Sequence, residues 1–183
     1  MPPPVEIEIK LELPSSEMAR LTRLAPLRRA KSVRTAQQVS IYFDTNKFAL
    51  RENGMMFRVR RLGRRYIQTI KAPNNGLLDR NEWETELKGE KPDFNTVRHT
   101  APEPLLTKKR RRQLHPVFET RVRRTTYPLT LGGSEIEVTL DRGEIGTGDR
   151  SKPLCEIESK AGDRLHFSGW PAPSLAPHPP NLP

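Results

Sequence analysis

Residues Val5 to Leu13 read V-E-I-E-I-K-L-E-L, and the alternation is unbroken. Val5, Ile7, Ile9, Leu11 and Leu13 fall on one face of an extended chain, Glu6, Glu8, Lys10 and Glu12 on the other. Period-two alternation marks a β-strand with two unlike faces. Carboxylates two residues apart on a strand point the same way, about 7 Å apart, and can share bound cations. Taken alone, the polar face is either a charged solvent surface or one wall of a site. Other strands decide between the two by repeating the pattern or not.

They repeat it. Gln38 to Asp44, Met55 to Leu62, Tyr66 to Lys71, Leu78 to Leu87, His115 to Tyr127, Glu135 to Leu140 and Pro153 to Lys160 all read as strands. Asn53-Gly54, Gly63 with Arg64 and Arg65, Pro73 to Gly76, and Gly132-Gly133 supply turn signals between them. Acidic pairs at i, i+2 recur at Glu82/Glu84, Glu135/Glu137 and Glu156/Glu158. Basic residues stand at Lys10, Arg58, Arg60, Lys71, Arg121, Arg123 and Arg124, and the opposite faces are mainly apolar. Alternation sets Arg121 and Arg123 on the other face from Arg124.

Helices are confined to the connections. Ser15-Ser16-Glu17 predicts a serine-capped helix striped by Met18, Leu21 and Leu24, with Pro26 ending or kinking it. Between Gly89 and Gln113 the chain reads as short helices and loops. An antiparallel sheet of about eight strands commonly closes to remove its edges. The fold expected is therefore α+β, mainly β: a closed eight-stranded antiparallel barrel with helices packed outside. It spans residues 1–168, followed by a Pro-rich tail over 169–183 that reads as disordered.

Two arrangements fit such strands. With the apolar face outward under helices, the barrel interior is charged; burying those charges costs several kcal/mol each unless partners or ligands neutralise them. With the apolar face inward, the charges form surface ion pairs worth about 0–1 kcal/mol each. The first is the expectation carried forward. Carboxylates suit hard Mg²⁺ or Mn²⁺ and Lys and Arg suit phosphoryl oxygens, so the interior reads as a metal–polyphosphate pocket.

Composition agrees. The 183-residue chain is 34% hydrophobic and 30% charged, with net charge +10, and predicts attraction to polyanions. Its single cysteine, Cys155, excludes an internal disulfide framework, and it reads as core. No apolar run approaches the roughly 20 residues a membrane span needs, and no secretory signal is visible, so a cytoplasmic protein without membrane contact is expected. His99, His115, His166 and His178 lack metal-ligand spacing and read as surface; Trp83 reads as packing, and Lys108 to Arg112 as a solvated helix face. Nucleic acid is a possible partner of that basic run but not the favoured one.

The motifs, in order, resemble the triphosphate tunnel metalloenzymes, or CYTH domain proteins, and in particular the bacterial inorganic triphosphatases. Glu6-Ile7-Glu8-Ile9-Lys10 is similar to their ExExK signature, and Tyr42-Phe43-Asp44-Thr45 to their tyrosine-containing strand. Leu50-Arg51 through Arg58-Val59-Arg60, Tyr66 to Lys71, Arg80 to Glu84, Phe118 to Tyr127, Glu135 to Gly143 and Cys155 to Glu158 follow suit. The resemblance implies an antiparallel tunnel binding inorganic triphosphate with Mg²⁺ or Mn²⁺. Glu6, Glu8, Glu156 and Glu158 would fall at metal positions, with Glu82 and Glu84 as helpers. Lys10, Arg58, Arg60, Lys71 and Arg124 would fall at phosphate positions.

The implied reaction is attack of a metal-activated water on a terminal phosphorus, with Lys10, Tyr42 and Glu8 as catalytic residues. Thiamine or nucleoside triphosphate, ATP cyclisation, and a non-catalytic polyphosphate- or RNA-binding module are the alternatives. The chain departs from the pattern at Thr126, where relatives often carry a second basic residue, and at Ser159-Lys160, where they run on as E-x-E-L-E-L.

Overall fold

A computed structural model describes residues 7–73, 80–97 and 103–161. Glu6, the 74–79 loop, His99, His166, His178 and the 169–183 tail lie outside the described residues. Eight antiparallel strands follow in the chain: β1 (Ile7–Glu12), β2 (Arg34–Asp44), β3 (Met56–Leu62), β4 (Arg65–Pro73), β5 (Arg80–Leu87), β6 (His115–Leu131), β7 (Ser134–Thr147) and β8 (Arg150–Ala161). They form one sheet in the order β1-β8-β7-β6-β2-β3-β4-β5, curled into a half-barrel. Between Tyr42 and Phe43 the β2–β6 register shifts at a bulge. Among the described residues no helix is long and apolar enough to cross a membrane.

The apolar faces point outward, under helices. One cluster packs Met18, Leu27, Leu129, Leu140 and Cys155 beneath α1 (Ser15–Leu21) and α2 (Ala25–Arg28). A second packs Leu50, Phe57, Ile70, Val97 and Leu106 beneath α3 (Ala49–Glu52) and the 3₁₀ turns Phe94–Val97 and Glu103–Leu105, with Trp83 against it. Of the two arrangements the strands permit, this is the one with a charged concave face.

Several local expectations need correction. The first helix takes Pro14, not a serine, as N-cap, with no side-chain cap bond. Pro26 does not end that helix but sits in the first turn of α2, where its missing N–H costs nothing. The last three strands run further than the alternation predicts. Pro128 lies within β6, beyond Thr126, where pairing with β2 has stopped, so its missing donor faces no neighbour on that side. Gly143 and Gly146 interrupt the apolar pattern of β7 without interrupting its pairing to β8.

Asp44 shows how the end of β2 is fixed. Its buried carboxylate accepts hydrogen bonds from the backbone N–H of Thr45, Leu50 and Arg51 at 2.7, 2.9 and 3.0 Å. The Leu50 and Arg51 donors would otherwise be orphaned at the start of α3. The basic run of α4 (Lys108–Arg111) is likewise partly structural. Arg110 and Arg111 donate to the carbonyls of Leu105 and Leu106, and Arg111 lies over the Phe94 ring at 5.6 Å.

Candidate phosphate and metal site

Register sets the charged face in rows. Across β7, β8 and β1 the first row is Glu137, Lys160, Glu8; the second is Thr139, Glu158, Lys10; the third is Asp141, Glu156, Glu12. Charges alternate across the first row and along β1, the arrangement that favours cross-strand pairing, whereas the third row sets three acids side by side. Lys10 Nζ lies 2.7 Å from Glu156 Oε2, and Lys160 Nζ lies 3.6 Å from both Glu8 Oε2 and Glu158 Oε1.

Arg124 of β6 grips Asp141 with a two-pronged contact, Nε to Oδ1 at 2.8 Å and Nη2 to Oδ2 at 2.6 Å. Nη2 also reaches Glu158 Oε2 at 3.2 Å. Asp141 and Glu158 are 4% and 5% exposed, so this guanidinium is the partner that makes their burial tolerable.

The other wall carries β3, β4 and β5. Arg60 pairs with Glu84 at 3.0 Å, and Glu84 also accepts from Thr69 at 3.0 Å. Lys71 of β4 spans the opening of the half-barrel: its Nζ is 3.1 Å from Glu82 on β5 and 3.4 Å from Glu8 on β1. The two ends of the sheet are joined here by side chains. Contact between β1 and β4 through these residues is possible only if the sheet curls toward its charged face.

Of the residues predicted from sequence, Glu8, Lys10, Glu156, Glu158, Arg124 and Lys71 thus come together around one network. Glu82 and Glu84 stand on the far wall as counter-ions of Lys71 and Arg60. Tyr42 faces the same interior, stacked on Phe118 with ring centroids 4.3 Å apart. Arg121 and Arg123 lie on the other face from Arg124, and Arg121 pairs with Glu119. Sequence reasoning missed Asp141, Thr69 and Lys160. The signal for Asp141 was present, because the alternation of Glu137 and Thr139 continues one step past Leu140.

Electrostatics divides this interior in two. Burial pulls the Lys10 ammonium toward neutrality, but Glu156, then Glu158 and Tyr42, outweigh it and hold its pKa above the ordinary lysine value. Burial would raise Glu8, yet Lys71, Lys160 and Lys10 together bring it below the usual carboxylate range. Burial also lowers Arg124, and Asp141 with Glu158 more than reverse it. Arg60 goes the other way: burial and the charges of Arg58 and Arg124 exceed what Glu84 returns, and its pKa falls. A guanidinium keeps its proton in proteins, so this downward pull measures positive charge left unrelieved. The atoms agree. Among the described residues Arg58 Nε, Arg60 Nε and Thr139 Oγ1 are buried without a hydrogen-bond partner.

The Glu8 shift predicts a pH dependence. A carboxyl whose pKa is depressed in the folded state contributes stability above its unfolded value, here near 4.5, and loses that contribution as pH falls through the folded value. In metal-free protein the melting-temperature gap between wild type and Glu8→Gln should shrink from about pH 6 to about pH 3. A gap constant over that range would assign the effect of Glu8 to packing.

For a divalent metal the donor chemistry fits. Glu8, Glu156, Glu158 and Asp141 offer carboxylate oxygens to a common interior, as Mg²⁺ and Mn²⁺ require. Among the described residues, however, no three acidic, histidine or cysteine side chains converge closely enough to hold an ion. Lys10, Lys160 and Arg124 stand between them.

A profile of the CYTH domain matches residues 4–166. Among solved structures, the fold is similar to that of a candidate adenylate cyclase from Bacillus halodurans, with TM-score 0.57 and 17% identity over 85% of this chain and 80% of that one. It is similar also to an adenylyl cyclase candidate from Hippeastrum described by a dominant triphosphatase activity, with TM-score 0.55 and 21% identity over 85% and 79%. A protein of Pyrococcus horikoshii gives TM-score 0.53 and 19% identity over 90% and 80%. At these identities the likeness is one of fold.

Proposed function

The chain belongs to the CYTH domain family, and on that premise we propose that it hydrolyses a triphosphate, inorganic tripolyphosphate to pyrophosphate and phosphate, on the charged concave face. The observation that carries this reading is the pair of buried nitrogens, Arg58 Nε and Arg60 Nε, that find no partner among the described residues. A buried donor without an acceptor costs about 1–3 kcal/mol, more when charged. Phosphoryl oxygens would supply the missing acceptors, and a planar guanidinium suits them.

In this proposal Arg58, Arg60, Arg124, Lys71 and Lys10 bind the phosphate chain. Glu6, Glu8, Glu156 and Glu158 hold the metal, with Glu82 and Glu84 keeping Lys71 and Arg60 aimed inward as well as helping with the ion. With Mg²⁺ or Mn²⁺ bound, the chemistry supplied is neutralisation of phosphate charge and a more acidic attacking water. Glu8 orders that water. Lys10, kept as an ammonium by Glu156, assists proton transfer together with the neighbouring Tyr42.

Phosphate release from tripolyphosphate, thiamine triphosphate and ATP, each across Mg²⁺ and Mn²⁺, tests the reading. Metal-dependent release, largest with tripolyphosphate, is the expected result. Tight polyphosphate binding with no release at any metal would make the protein a binding module instead. Arg58→Gln should lower kcat/KM about 10–100-fold, the worth of one charged hydrogen bond. Its melting temperature should hold or rise, because among the described residues Arg58 has no carboxylate partner to lose and repels Arg60.

A further inference from the structure

Lys160 stands on β8 directly opposite Glu8 on one side and Glu137 on the other. Its ammonium lies 3.6 Å from Glu8 Oε2 and 3.6 Å from Glu158 Oε1, equidistant from two carboxylates of different strands. Both separations are ion-pair distances longer than a hydrogen bond, so the ammonium neutralises the two acids by charge. The remaining contacts of those acids come from elsewhere. Lys71 reaches Glu8 from β4 at 3.4 Å, and Arg124 takes Oε2 of Glu158 at 3.2 Å.

A compact cation on a flexible four-carbon stem is easily moved, and the exposed Glu137 carboxylate is its other neighbour in register. We infer that Lys160 is a tethered counter-ion occupying the position between Glu8 and Glu158 where a divalent cation would bind, so that metal loading must displace it. This rests on the proposed metal role of Glu8 and Glu158. Two terms then oppose the metal: repulsion from a neighbouring ammonium, and the loss of ion pairs that already satisfy both acids. The consequence is a metal affinity set low by the chain's own residue, and an interior that stays neutralised and folded before metal arrives.

The test is Mn²⁺ binding to the full chain, followed by titration calorimetry and by the resonance signal of free Mn²⁺, with melting temperatures alongside. Lys160→Gln removes the charge and is expected to bind Mn²⁺ roughly tenfold tighter than wild type. Its melting temperature should rise more than that of wild type at the same Mn²⁺ concentration. Lys160→Arg keeps the charge and should retain the weak affinity. Unchanged or weaker binding in Lys160→Gln overturns the inference, as does the absence of Mn²⁺ binding in every form.

If Lys160→Gln fails to fold without metal, refolding in Mn²⁺ should recover it. Failure to recover would make Lys160 structural and overturn the inference. Tighter Mn²⁺ binding by Lys160→Gln with no triphosphate cleaved by any form would leave the Lys160 role standing while removing the proposed hydrolysis.

Discussion

Arg124→Met should lower the stability of the metal-free protein by about 3–5 kcal/mol, the cost of leaving a buried charge without its partner. The guanidinium holds Asp141 through two hydrogen bonds and Glu158 through a third. Both acids are almost fully buried, so water cannot take over. Methionine fills most of the volume and separates the charge effect from a cavity. The sign with pH follows. Stranded carboxyls have raised pKa values in the folded state, so the deficit of the variant should narrow as pH falls and both become neutral. Urea unfolding at two pH values measures it. Adding Asp141→Asn to Arg124→Met should return part of the loss. A deficit under about 1 kcal/mol, the range of an exposed pair, would show that the acids do not depend on Arg124.

Gly143→Ala should cost about 3 kcal/mol or more, the upper end of overpacking penalties, for a wholly steric reason. A Cβ at Gly143 would overlap the Arg121 carbonyl oxygen outright and come within 2.7 Å of Val122 Cα. Both are backbone atoms of the neighbouring strand, and neither can rotate away. β6 and β7 would have to part beside Arg124 and Asp141, which face each other two residues along. Gly89→Ala is the matched control, since a Cβ there meets nothing within 4 Å, and a surface change of that kind stays within about 0.5 kcal/mol. A change at Gly143 no larger than that at Gly89 would show that the strand pair accommodates the Cβ and overturn the steric argument.

Much of this arrangement was legible in the sequence because strand alternation is a local property. The faces of β1, β3 and β5 could be read residue by residue, and Glu8, Lys10, Arg58, Arg60, Glu82 and Glu84 all lie on the face expected. What could not be read is register. Nothing local says that Lys71 meets Glu8 across 63 positions of chain, or that Arg124 bridges Asp141 and Glu158. Asp141 is hard to read because the alternation of apolar residues stops at Leu140, and the glycines beyond disguise the continuation of the strand. Gly143 itself reads as a strand breaker, yet it is where the β6 backbone leaves no room for a Cβ. Lys160 stood out in sequence as a departure from a family pattern, and its position between two acids emerged from the pairing of β8 with β1.

The two ends of the sheet carry a consequence for handling the protein. Among the described residues β1 and β5 each pair on one side, so each offers a row of free backbone donors and acceptors to any other extended chain. On β1 the outer side chains Ile9 and Leu11 are exposed as well. What discourages stacking of one molecule on the next is the charge beside those rows: Glu8, Lys10 and Glu12 on one, Glu82, Glu84 and Glu86 on the other. The same carboxylates therefore guard solubility. An amide variant made to silence the chemistry would also strip a gatekeeper from an open edge. Lost turnover in such a variant has to be read beside its sedimentation, since a fibril nucleus and an inactive monomer give the same flat assay.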